Sequence, residues 1–162
     1  MAVGVVLAIL LLTTFSVQVT ILVMISVLLV TLYTLTLQQV WGVDFNFMSA
    51  IQLSFALGVS LDYSSHIAHA YLVAQAPPTC VTDAQKRDHK ARQALSKMGS
   101  SVIHGGNSTL LGFLALSQAE LYSFIVVYKS WVGIICFGLL NGLILLPVLL
   151  SLFGPINFGT KA

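Results

Sequence analysis

Charge is what this sequence has least of. Only 7% of its 162 residues are Asp, Glu, Lys or Arg, against roughly 25% in a soluble domain. With 57% of residues hydrophobic and a mean hydropathy of +0.96, the chain has too little polar surface to cover itself in water. An ordinary soluble domain is excluded, and an integral membrane protein is implied. The formal net charge is only +2 and there is no basic amphipathic arm, so no nucleic-acid partner is expected. Cysteine is scarce as well. Cys80 falls in a polar stretch and Cys136 in an apolar run, so the two make no disulfide framework and read as inert thiols. The N-terminus has no positive segment ahead of its apolar run, which argues against a secretory leader.

Long apolar runs are what the chain does have. Crossing ~30 Å of hydrocarbon takes about 20 residues in a helix. Spans are expected at about 3–15, 17–37, 47–73, 100–116 and 131–152. The first is short, as if its outer end were cut off or continued a helix outside this sequence. The second is rich in Val, Ile and Thr, but its length and unbroken apolarity decide for a membrane helix. Trp41 marks an interface, and Lys129 with Trp131 marks another. An interfacial elbow is expected at 120–128. Pro147 should kink or open the last turns of the final span.

One polar segment, 74–98, separates the third and fourth spans. It holds Pro77-Pro78 and then Lys86, Arg87, Lys90, Arg92 and Lys97, five of the seven basic residues. The positive-inside rule places this loop, and with it the C-terminus, in the cytoplasm. Apolar positions at Ala91, Ala94, Leu95 and Met98 suggest an amphipathic surface helix, capped by Thr82 or Asp83.

Asp62 stands out. It lies about 15 residues into the 47–73 span, roughly 22 Å along the helix at 1.5 Å per residue. An ionised side chain in hydrocarbon costs on the order of 3 kcal/mol by insertion scales, so an intramembrane carboxylate is a functional candidate by default. Gly58, Asp62 and His66 are spaced by four and share one face. Tyr63 adds a hydroxyl beside the carboxylate. The following span offers Asn107 and Ser108, with His104 and Thr109, as polar partners. Gly58, Gly105 and Gly106 would let helices approach the site closely. A carboxylate so placed can take up and release a proton, or hold a cation, as an ion relay needs. The plainer alternative is that Asp62 and His66 only hold helices together by hydrogen bonding.

Enzyme readings fare poorly. Intramembrane aspartyl proteolysis needs two facing carboxylates, and Asp62 stands alone in the apolar core. Gly58-Val59-Ser60-Leu61-Asp62 lacks the glycine that a nucleophile elbow requires two after its serine. His66-Ile67-Ala68-His69 is a single His-x-x-His, so no metal site and no cofactor is expected.

Three stretches carry a resemblance. They are Gly58-Val59-Ser60-Leu61-Asp62-Tyr63-Ser64-Ser65-His66; Ala94 to Val102 with Ser108-Thr109-Leu110-Leu111-Gly112; and Gly138-Leu139-Leu140-Asn141-Gly142 through Pro147 to Ser151, then Gly154-Pro155. With the helix order, they resemble the second membrane bundle of the resistance–nodulation–division permeases, in the branch of Patched, Patched-domain-containing, Dispatched and Niemann–Pick type C proteins. The resemblance implies an all-α membrane protein of about five spans, and a transporter of sterols or other lipids. It implies drive from a proton or sodium gradient through Asp62, with Gly58 as its packing glycine. It also implies a partner: members have about twelve spans in two related halves plus external domains, so this chain reads as a C-terminal fragment lacking its first half. A non-transporting receptor or sterol-sensing module, with the polar residues purely structural, is the other reading.

Overall fold

The computed structural model describes residues 16–43, 46–77, 82–118 and 121–155. The 3–15 span and the C-terminal tail expected from sequence lie outside them, as do Asp44, Cys80 and Glu120. All regular structure among the described residues is helical. The elements are α1 (Val17–Val40), α2 (Phe47–Val73), α3 (Asp83–Leu114), a 3-10 turn (Ala115–Gln118), α4 (Tyr122–Leu140), a π-helical segment (Asn141–Leu145) and α5 (Leu146–Phe153). The last three run on without a break.

Two of these helical stretches are long and apolar enough to cross a membrane, Val17–Val40 and Phe124–Phe153. In α1 the threonines do not break the helix, because their hydroxyls donate back to the carbonyl four residues earlier. Thr31 does so to Val27 at 2.9 Å and Thr34 to Val30 at 2.8 Å. A hydroxyl satisfied within its own helix needs no water. One face of α1, with Val19, Val23, Val27 and Val30, is fully buried. The other presents Val17, Ile21, Ile25, Leu28 and Leu32 outward. A helix apolar on both faces suits hydrocarbon rather than water as its solvent.

Turn chemistry fixes the α1–α2 corner. Gly42 has φ +64°, a conformation that costs other residues strain. The Val43 N–H reaches the Gln38 carbonyl at 2.9 Å and the Gly42 N–H reaches Gln39 at 3.0 Å, the Schellman ending of a helix. Asn46 then caps α2. Its Oδ1 accepts from the Ser49 N–H at 3.1 Å, and its own N–H donates to Ser49 Oγ at 2.8 Å. This reciprocal box starts the helix at Phe47.

Two boundaries differ from the sequence expectation. The polar stretch 83–98 is no separate surface helix, since α3 carries it into the fourth apolar run as one helix of 32 residues. Composition changes at Gly99, but nothing there interrupts the backbone hydrogen bonding. Likewise the expected elbow at 120–128 is mostly the first turns of α4, which starts at Tyr122 and contains no proline before the π segment. Thr82 is the residue that precedes α3, and its N–H donates to Gln85 Oε1 at 3.3 Å.

The two ends of the bundle are tied differently. At one end Gln38 Nε2 donates to Ser130 Oγ at 3.2 Å. Beside it Lys129 Nζ lies 6.0 Å from the centre of the Trp41 ring, and Phe113 stacks on Trp131 at 4.3 Å. At the other end Arg87 Nη1 donates to the Leu152 carbonyl at 3.0 Å, and the Tyr71 hydroxyl reaches the Pro155 carbonyl at 3.5 Å. The polar start of α3 is thereby anchored on the last turn of α5.

Candidate functional site

Asp62 and His66 sit one turn apart on α2, with Nε2 and Oδ1 3.4 Å apart. The helix repeat brings them together, as the i, i+4 spacing dictates. Their side chains are 67% and 58% exposed, respectively. Gly58, one turn before Asp62, and His69 share this uncovered face. A Cβ built on Gly58 would meet nothing within 4 Å. The described helices therefore leave a carboxylate, an imidazole and a bare glycine on one open strip of α2. Ser65, beside the strip, donates to the Asp62 backbone carbonyl at 3.0 Å and not to its carboxylate.

Tyr63 points away from this strip. It is 7% exposed and packs on the last helix. Cβ atoms built on Gly138 and Gly142 would stand 3.2 Å and 3.4 Å from its side chain. Successive helical residues are turned by about 100°, so Asp62 and Tyr63 cannot share a face. The sequence grouped them by adjacency, and the structure separates them. That separation was legible from helical spacing alone.

The α3 residues divide in the same way. Asn107, Ser108, His104 and Gly105 are exposed. Nothing stands within 4 Å of a Cβ built on Gly105. Gly106 is buried, and a Cβ there would crowd the Leu139 side chain at 2.8 Å. Thr109 returns its hydroxyl to the Gly105 carbonyl at 2.9 Å. Among the described residues, the only side-chain ion-pair partner of Asp62 is His66. No three His, Cys, Asp or Glu side chains among them come close enough to hold a metal ion.

Buried polar groups lie elsewhere. Ser26, Thr34 and Gln38 on α1, Ser49, Gln52, Ser60 and Ser64 on α2, and Ser130 on α4 are all buried. Most are small, which lets the backbones approach. Asn141, at the start of the π segment, donates from Nδ2 to the Phe137 carbonyl at 2.9 Å. Its Oδ1 is buried with no hydrogen-bond partner. A polar residue six positions ahead of Pro147 in an otherwise apolar run was the available signal.

No family model matches the chain. Individual relatives do. It is 39% identical over 116 residues to Protein patched homolog 1 of Caenorhabditis elegans, covering 70% of this chain and 8% of that protein. It is 35% identical over 118 residues to NPC intracellular cholesterol transporter 1 of Sus scrofa, covering 71% and 8%. The chain belongs to the Patched and Niemann–Pick type C branch of the resistance–nodulation–division permeases. NPC1-like intracellular cholesterol transporter 1 of Rattus norvegicus matches over 82% of this chain and 10% of its own length, at 35% identity. The chain thus spans about a tenth or less of the length of these relatives. Membership in this branch of multi-pass membrane proteins agrees with the two long apolar helices and with the outward apolar face of α1.

Proposed function

We propose that this chain forms the second-half membrane bundle of a Patched-like sterol or lipid transporter, with five spans when residues 3–15 are counted. In this reading Asp62 couples lipid movement to a proton or sodium gradient. One observation carries it: a carboxylate and an imidazole 3.4 Å apart on a mid-helix strip that this bundle leaves uncovered. Exposed to hydrocarbon, that pair is costly. Covered by a second bundle, with Gly58 allowing close approach, it becomes a buried titratable couple. Burial and charge neighbours then set whether the carboxylate holds a proton or a cation. His66 is the positioning and charge partner. Asn107 and Ser108, exposed on α3, and Tyr63, turned into the core, would join the relay only through rearrangement or through water. The basic start of α3, around Lys86 and Arg87, faces the cytoplasm in this topology, as does the C-terminus.

Two of the relatives are named as intracellular cholesterol transporters, which supports a sterol as the carried lipid. The test is gradient-driven sterol movement in proteoliposomes holding the full-length protein that contains this chain. Asp62→Asn is expected to reduce movement to the passive leak while leaving the bundle folded. Movement that survives Asp62→Asn would mean that Asp62 and His66 serve only to pack helices.

A further inference from the structure

A second feature lies away from the residues of the α2 strip. An open groove of about 510 Å³ runs between α1 and the last helix, lined by Tyr33, Phe137, Leu140, Asn141, Ile144 and Val148 among others. Its wall is nearly all apolar. The Tyr33 and Phe137 rings, 5.3 Å apart and tilted by 38°, give it a flat aromatic end. Asn141 is its only amide, and that residue is 5% exposed. Donation from Nδ2 to the Phe137 carbonyl fixes which amide atom is which, because the flipped amide would set two oxygens against each other. The atom left over is therefore an acceptor, Oδ1, buried and unpartnered.

Depth makes the acceptor unusual. In the apolar stretch Phe124–Phe153, Asn141 lies roughly 4 Å from the midpoint at 1.5 Å per residue. This placement holds whichever end of the helix faces the cytoplasm. An orphan acceptor at mid-membrane is expensive unless something donates to it. The π segment that begins at Asn141 adds a local irregularity of the kind found at functional sites.

We infer that this groove binds an uncharged lipid bearing a single hydroxyl, with a rigid ring system against Tyr33 and Phe137 and its hydroxyl donating to Asn141 Oδ1. A charged headgroup is unsuited, because the groove holds no counter-charge. The ring system is favoured over two flexible chains because it loses less freedom on lying along a flat wall. Reaching Oδ1 takes a rotamer change in the groove wall, where Ile144 and Val148 are more than half exposed. The inference extends the lipid-transport reading and rests on it for its purpose: the site would be a resting point for a hydroxyl halfway across the bilayer. Binding itself requires no gradient and no Asp62.

The test is photolabelling of the full chain in nanodiscs, with peptide mapping of the adduct. Three probes are used: a ring-diazirine cholesterol, its 3-O-methyl ether, and a photoactivatable diacylglycerol. The alcohol is expected to label groove peptides about tenfold more than the ether, the value of one buried hydrogen bond. Asn141→Leu should abolish that preference, and Val148→Trp should reduce labelling by fill of the groove. Equal labelling by alcohol and ether, or a preference that survives Asn141→Leu, overturns the proposal. Stronger labelling by the diacylglycerol than by the sterol overturns its ring-system part. Loss of labelling preference with intact gradient-driven transport would remove this site alone. Intact labelling with Asp62-independent transport would remove only the relay.

Discussion

Asp62 and Tyr63 are neighbours in sequence and face different surroundings, one open and one packed against glycines of the last helix. Glycine substitutions on open and on packed surfaces should likewise give opposite results. Gly58→Ala adds a methyl into open space in this bundle and replaces a glycine in a helix interior, so it should raise the stability of the isolated chain by up to about 1 kcal/mol. If a second bundle packs there, the same substitution should impair transport in the full-length protein. Chemical denaturation and flux, measured side by side, check both halves. Gly154→Ala is the contrast, since its Cβ would collide with the Leu150 carbonyl and the Tyr71 hydroxyl. Overpacking against backbone of this kind costs about 1–3 kcal/mol, which a thermal melt would register. Lys90 offers a pH test. It is almost fully buried, with its ammonium 6.0 Å from the Tyr71 ring centre, and burial pushes its pKa below the ordinary lysine value. The unfolded chain then binds more protons than the folded one between the lowered and the ordinary value. Stability should rise with pH across that window and be lowest below it. Lys90→Met should flatten that rise, as read by melting temperature against pH.

At the scale of elements, the last helix is the irregular one. Proline has no N–H to give the carbonyl four residues earlier, here Leu143, and its ring crowds that carbonyl. The helix answers with the π segment Asn141–Leu145 just before Pro147. Pro147→Ala should restore ordinary helical bonding, with slower amide exchange at 143–147 as the measurement. The fold was legible in sequence where polar punctuation was sharp. The bounds of α2 follow from the Asn46–Ser49 box and from the Pro77 that follows its end. They were not legible where composition changed without a breaker. The switch from charged to apolar at Gly99 looks like a boundary, yet helical bonding ignores composition, and α3 runs through it. The Asp62–His66 pair was legible from spacing. Asn141 was marked only as a lone amide in an apolar run, which gives no hint of which of its atoms lacks a partner.

For the whole molecule, the decisive property is what covers the open strip of α2. Cysteine accessibility reads this directly in a background free of Cys80 and Cys136, the latter being exposed. Asp62→Cys should react quickly with a membrane-permeant maleimide in the isolated bundle, whereas Tyr63→Cys should be protected. In the full-length protein Asp62→Cys should be protected as well. Equal reactivity in both contexts would show that no second bundle meets this strip.

The tight corner between α1 and α2 bears on how the protein is made. Among the described residues, α2 is not one of the two helical stretches apolar enough to cross a membrane by length and composition; it carries Asp62, two histidines and several serines. A newly made α2 would then enter the bilayer reluctantly by itself. Closed by Gly42 and the Asn46 cap into a hairpin with the far more apolar α1, it has a partner already in place as it leaves the ribosome. The corner thus joins the polar-striped α2 and its apolar partner α1 in one hairpin.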